Sequence, residues 1–366
     1  MRYFKKVSKL GLAVSTLALS TLALSTPAHA DSLSGKSWQE IEVLAKKEGE
    51  VIFSVWYLQP AWRTFVKDFE QQYGIKVRIP EGTLDGNVNK LIAEKNLAPG
   101  KMDLIAVSAD RVKTLDTFDV TEPLNSLPNF EKLNHYLQGV DFGNNAVGFW
   151  GNQTGLAYDP LRVKAEDLPQ TWQQMEAYIK NNPKKFGYSD PNGGGSGNAF
   201  IQRAIVYTSG DYDYQQTEVI PEQMKKWETT WQWFRDNSAN MTRTSSNADS
   251  LTRLNDGELN IVAAWQDHLF SLQKQGAITK RLAFYLPEFG MLGGGNAVVI
   301  AKNSPHPAAS MLFAHWLTSP ETQQKLNENF GVRPLDSNSG KKDVLSFSAD
   351  WGKAQVQAFT KEVVSH

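Results

Sequence analysis

Residues 51–79 read VIFSVWYLQPAWRTFVKDFEQQYGIKVRI. The first five residues, apolar except for Ser54, suit a strand buried on both faces. Trp62, Phe65, Val66, Phe69 and Tyr73 then recur at i, i+3, i+4, i+7 and i+11, which marks one face of a helix. Gly74 ends that helix, and residues 75–79 form a second apolar run. Strand, helix and strand in this order predict an α/β chain built on a parallel sheet with helices on both of its faces.

The pattern continues in both directions. Upstream, Ser37-Trp38-Gln39-Glu40 is a capping box. Trp38, Ile41, Leu44 and Ala45 follow it at helical spacing, and Gly49 stops the helix. Downstream, residues 87–96 read as a helix and 103–107 as a third strand. Residues 146–150 and 154–158 read as two further strands joined by Asn152-Gln153-Thr154. Beyond Pro160 the spacing predicts helices at 172–179 and 199–207, and short strands at 260–265 and 297–301. A helix follows Pro305 and Pro307, and Ser319-Pro320 caps the next.

The first thirty residues form an export address. Arg2, Lys5, Lys6 and Lys9 precede a mostly apolar stretch, and Ala28-His29-Ala30 has the small-x-small form of a signal-peptidase site, so cleavage is expected before Asp31. Without the signal's four cations, 34 basic residues face 39 acidic ones, a net charge of about −5. No basic patch suggests nucleic acid or an anionic membrane surface. The absence of cysteine removes thiol catalysis and thiolate metal sites. Six histidines, none paired at i, i+4, leave little for zinc; no cofactor is implied.

Ligands of such sheets bind at the carboxyl ends of the strands. There stand Trp56 and Tyr57 after the first strand, and Ser108 and Asp110 after the third. Trp150 lies near a crossover, and Trp265 ends a short strand; flat rings suit sugars, heterocycles or cations. Asp267 and Glu288 join Asp110 as carboxylates near strand ends. The run 189–198, Ser-Asp-Pro-Asn-Gly-Gly-Gly-Ser-Gly-Asn, precedes an apolar helix. Glycines let backbone N–H groups approach a ligand, and the helix start adds unpaired donors. Gly195, Ser196, Gly197 and Asn198 are therefore the expected cradle for a phosphate, phosphonate or carboxylate. The loop lacks the lysine of a nucleotide-binding P-loop. No G-x-S-x-G elbow is present, and His268 directly beside Asp267 does not make an oriented pair.

Several stretches in order resemble the extracellular solute-binding proteins of ATP-driven (ABC) uptake transporters, in the branch that handles iron, polyamines, thiamine, phosphonates and sugar phosphates. They are Gly155-Leu156-Ala157-Tyr158-Asp159, Thr171-Trp172-Gln173-Gln174-Met175, Ser189-Asp190-Pro191 with its glycine loop, Leu254 to Glu258 before Ala263-Ala264-Trp265, and Ala297 to Lys302 with the helix pair that follows. The resemblance implies a type II-like periplasmic-binding-protein fold of two lobes, with mixed sheets flanked by helices and the ligand in the interlobe cleft. The lobes would be residues 31–155 plus 297–366, and 156–296. It further implies a non-enzymatic, periplasmic monomer that captures a small molecule and passes it to an inner-membrane permease. Iron-binding members carry adjacent tyrosines on the second lobe; here Tyr212 and Tyr214 are spaced apart, which argues against ferric iron. A secreted carbohydrate-active or other hydrolytic enzyme on the same two-lobed α/β scaffold is the alternative.

Overall fold

The computed structural model describes residues 33, 35–216, 218–339, 344 and 346–365. The export address at 1–30 lies outside the described residues. Among those residues no helix is long and apolar enough to cross a membrane.

One mixed sheet runs through the molecule, and its strands alternate their side chains between two cores. In Leu104–Ser108, Leu104 and Ala106 belong to one core while Ile105 and Val107 belong to the core on the other face. Ile261–Trp265 repeats this in the other half of the chain, with Ile261 and Ala263 on one side and Val262 and Ala264 on the other. Burial on both faces explains why these segments read as continuous apolar runs rather than alternating ones. Each half thus has its own pair of cores, and the halves form two lobes.

In the first lobe Glu50–Ser54 pairs parallel with Lys76–Arg78 and with Leu104–Ser108. In the second, Ile261–Trp265 and Met241–Thr244 flank Phe186–Ser189, again in parallel. Two long antiparallel strands join the lobes: Val147–Tyr158 and Gly293–Ala301. The sheet is therefore mixed. The parallel reading holds for the outer strands, and the crossovers are antiparallel. The expected pair of strands at 146–150 and 154–158 is one continuous strand. Its polar middle reflects the passage between lobes rather than a loop: Asn152 and Gln153 pair with Gly294 and Gly293 of the returning strand.

The expected caps are present. Ser37 and Glu40 form the capping box, and Gly49 and Gly74 end their helices in the left-handed conformation. The expected helix at 62–73 is divided at Val66 into Gln59–Phe65 and Lys67–Tyr73, and Trp62, Phe65 and Phe69 stay buried on one face.

Two expectations need correction. The helix expected from 199 begins four residues earlier, as Gly195–Ser209, so the last glycines of the loop are its first turn. The C-terminal residues, assigned from sequence to the first lobe, pack on the second. Trp351 and Phe359 of Ala349–Phe359 are fully buried among Tyr188, Tyr214, Trp227, Trp231 and Phe234. The reason is the aromatic surface that the second lobe offers there, which has no counterpart in the helix's own sequence. The chain thus passes between the lobes a third time, after Arg333, which pairs with Gly151 on the first-lobe side.

Candidate functional site

A cavity of ≈ 640 Å³ lies between the lobes, at the ends of the strands. Trp56, Tyr57, Ser108, Asp110 and Trp150 face it from the first lobe, and Trp265 and Asp267 from the second.

Trp56 and Tyr57 follow Glu50–Ser54 directly. Their rings meet edge to face at 4.8 Å, and Tyr57 meets Trp150 in the same way at 5.0 Å. Leu58, the next residue, has φ 51°, a left-handed backbone that carries the chain from the strand into Gln59–Phe65. Such strain in a branched residue is held only where the surroundings impose it. Trp150 itself belongs to the first-lobe core and is 1% exposed, and it also lines the cavity.

Trp265 is seated by two glycines. A Cβ on Gly294 would stand 2.2 Å from Cζ3 of the indole, and one on Gly195 3.1 Å from Nε1. Any larger residue at Gly294 would displace the ring from the cleft wall. Beside it, the crossover strand bulges between Asn296 and Ala297, which brings Asn296 to the cavity opposite Trp150.

The cleft's charge is uneven. The Ser108 hydroxyl donates to Asp110, and Arg111 pairs with Asp85 at 2.9 Å and with Asp110 at 3.5 Å. Asp267, in the first turn of Gln266–Lys274, accepts from Trp150 Nε1 at 3.2 Å, and its own N–H donates to Asn152 Oδ1 at 3.4 Å. Burial raises the pKa of Asp267, against the pull of Asn152 and Trp150. Burial lowers that of His268, which Asp267 only partly offsets. Burial also pushes the Tyr57 phenol well above its ordinary value.

The expected anion cradle is built differently. Gly195, Ser196, Gly197 and Asn198 are helical, and neighbouring side chains already hold the donors that an anion would need. Asn247 Oδ1 accepts from Ser196 N at 3.2 Å and from Ser196 Oγ at 2.7 Å. Ser189 Oγ accepts from Gly197 N at 2.9 Å. Asn198 turns its amide to the carbonyl of Pro191. Ser196 and Gly197 are small because Ser189 packs against them: a Cβ on Gly197 would fall 1.7 Å from the Ser189 carbonyl oxygen. Gly195 reaches the site only through Trp265. Glu288 is exposed and does not line the cavity.

Sequence reasoning passed over Asn152 and Asn296, although a polar residue inside an otherwise apolar crossover strand was a visible signal. It also missed Ser346, Phe347 and Ser348, which complete the second-lobe wall. Nothing local marked them, because their place depends on where the C-terminal helix docks.

A family model described as bacterial extracellular solute-binding protein matches residues 64–355. The chain belongs to this family. No curated protein matches this solute-binding protein. Its fold is similar to that of a putative extracellular solute-binding protein from Bordetella parapertussis, with 14% identity, 87% of this chain and 99% of that one covered, and a TM-score of 0.67. It is also similar to a spermidine/putrescine ABC transporter substrate-binding protein from Streptococcus pneumoniae (12% identity, 86% and 98% covered, TM-score 0.63). A third similar structure is iron-bound HitA from Pseudomonas aeruginosa (17%, 86% and 98%, TM-score 0.58). At these identities the likeness concerns the fold. In this solute-binding protein Tyr212 and Tyr214 face inward rather than into the cleft. Their rings pack on Trp351, and Tyr214 Oη accepts from Trp227 Nε1 at 2.9 Å. Among the described residues no group of three or more acidic or histidine side chains is placed to hold a metal ion.

Proposed function

We propose that the protein is the exported, monomeric solute-capturing component of an ABC uptake transporter. It binds one small polar molecule between its lobes and hands it to an inner-membrane permease. The observation that carries this reading is the cavity itself: aromatic rings and carboxylates from both lobes face one space, and the chain passes between the lobes three times beside it. Closure about these crossings would remove solvent from the solute and present a new surface to the permease. The anionic solute suggested by the glycine loop has lost its main support, because the loop's donors are bonded to Ser189 and Asn247.

The cleft is read as a binding site rather than a catalytic one. Native mass spectrometry of the purified protein should find a bound small molecule that is released unchanged on denaturation. Small-angle scattering should show a smaller radius of gyration when that molecule is added back. Turnover of the molecule without contraction would favour the hydrolase.

A further inference from the structure

Among the described residues Asp267 has no ionic partner. Its carboxylate is hydrogen-bonded by the indole of Trp150 and the side chain of Asn152, and its backbone N–H donates to Asn152 Oδ1; both partners are neutral. Among the described residues no Lys or Arg forms an ion pair with it. Arg111, a cation that lines the same cavity, is already held by Asp85 and Asp110. His268, next in sequence, is pushed towards its neutral form by burial. The N-terminus of Gln266–Lys274 supplies about half a positive charge, which offsets a full carboxylate only in part. A cleft that closes on such a carboxylate strips it of water without a countercharge, and that is costly unless the occupant brings one.

The rest of the wall has the same preference. Trp56, Tyr57 and Trp265 share the cavity with Asp267, and the faces of such rings attract cations. Asn296 adds a side-chain carbonyl oxygen beside them. An anion would meet two carboxylates and the negative faces of the rings.

We infer that the solute is an organic cation whose charged nitrogen is held against Asp267, with the rings of Trp56 and Trp265 covering its apolar part. This rests on the cleft being the solute site, as proposed above.

The test is titration of the full chain, followed by tryptophan fluorescence and thermal shift, with four probes: putrescine, choline, inorganic phosphate and citrate. A saturable response is expected from at least one of the two cations and from neither anion. Asp267→Asn, which keeps the size and the Trp150 contact, should weaken that response tenfold or more while the circular dichroism spectrum stays unchanged. Should Asp267→Asn fail to fold, Trp265→Phe with the same probes serves in its place, again with a tenfold loss expected. Failure of both cations to bind, unchanged affinity in the variants, or a response to an anion alone would each overturn the inference. An anion response accompanied by contraction in small-angle scattering would overturn the cation and leave the solute-binding function standing. Absence of contraction with every probe and with the co-purified molecule would instead sink the function.

Discussion

Nε1 of Trp150 donates to Oδ2 of Asp267 at 3.2 Å, so a residue of the first-lobe core holds a carboxylate of the second lobe in place across the cleft. Burial raises the Asp267 pKa and this bond opposes the rise. Trp150→Phe keeps a ring and removes the donor. The Asp267 carboxyl should then titrate at higher pH than in the wild type, as followed by carbon NMR of the side chain. Loss of a hydrogen bond to a charged group should lower stability by ~1.5–3 kcal/mol in urea denaturation. An unchanged titration would show that the bond does not act on the carboxylate.

Trp56 and Trp62 lie six residues apart and have different tasks. Trp56 lines the cavity and is partly exposed, whereas Trp62 is 0% exposed in the core and packs on Phe53, Phe65 and Phe330. Trp62→Ala should cost ~3–5 kcal/mol of stability. Trp56→Ala should cost clearly less and should abolish most of the fluorescence change on binding the co-purified solute. Equal losses of stability in the two variants would place Trp56 in the core.

The Ser189–Ser196–Asn247 cluster is a structural joint between Gly195–Ser209 and Asn247–Asn255. Ser196→Ala should lower stability by ~1 kcal/mol by removing a buried hydrogen bond. Gly197→Ala should cost ~1–3 kcal/mol or more, because its new methyl collides with backbone rather than with a side chain that can turn away. Thermal melts decide this; wild-type melting in the alanine variant of Gly197 would contradict the packing.

Trp351 anchors the C-terminal helix on the second lobe, fully buried against Tyr214 and Trp227. Its replacement by alanine should cost ~3–5 kcal/mol and should make the chain after residue 339 the first site of limited proteolysis. The helix carries with it Ser346, whose hydroxyl donates to Gln138 of the first lobe at 2.9 Å. Solute affinity should therefore fall together with the protection of this segment.

His306 sits on the buried Asp103, with Nδ1 2.9 Å from Oδ2, and its backbone N–H donates to Oδ1 at 3.0 Å. The hydrogen bond to Asp103 raises the His306 pKa above the ordinary 6.5, opposed by desolvation and aided by the charges of Asp103, Glu48 and Glu50. A group whose pKa is raised in the folded state contributes stability that is complete below its unfolded value and disappears as pH rises through the folded value. Stability should thus decline from about pH 6.5 upward through that raised value, and His306→Gln should flatten the decline. Urea midpoints measured across pH 5–9 give the answer; parallel curves for the two proteins would refute it.

What the sequence determined by itself is local. The strand cores, the Ser37 and Ser319 caps and the helix ends at Gly49 and Gly74 depend on residues a few positions apart, and they occur where the spacing places them. Trp56, Tyr57, Ser108 and Asp110 line the cavity because each stands at or just after the end of a buried strand, which is a local signal, whereas the two-lobed fold was implied by the family resemblance that several stretches carry in order. The tertiary structure alone decided which backbone donors remained open and which lobe each late segment joined. The Ser196 hydroxyl meets Asn247 across 51 positions, Trp150 meets Asp267 across 117, and the backbone N–H of Phe347 meets Gln202 across 145. A glycine-rich helix start looks the same in sequence whether its N–H groups await an anion or are bonded to side chains from a neighbouring strand end and helix start. The difference is a hydrogen bond that only the folded chain brings within reach.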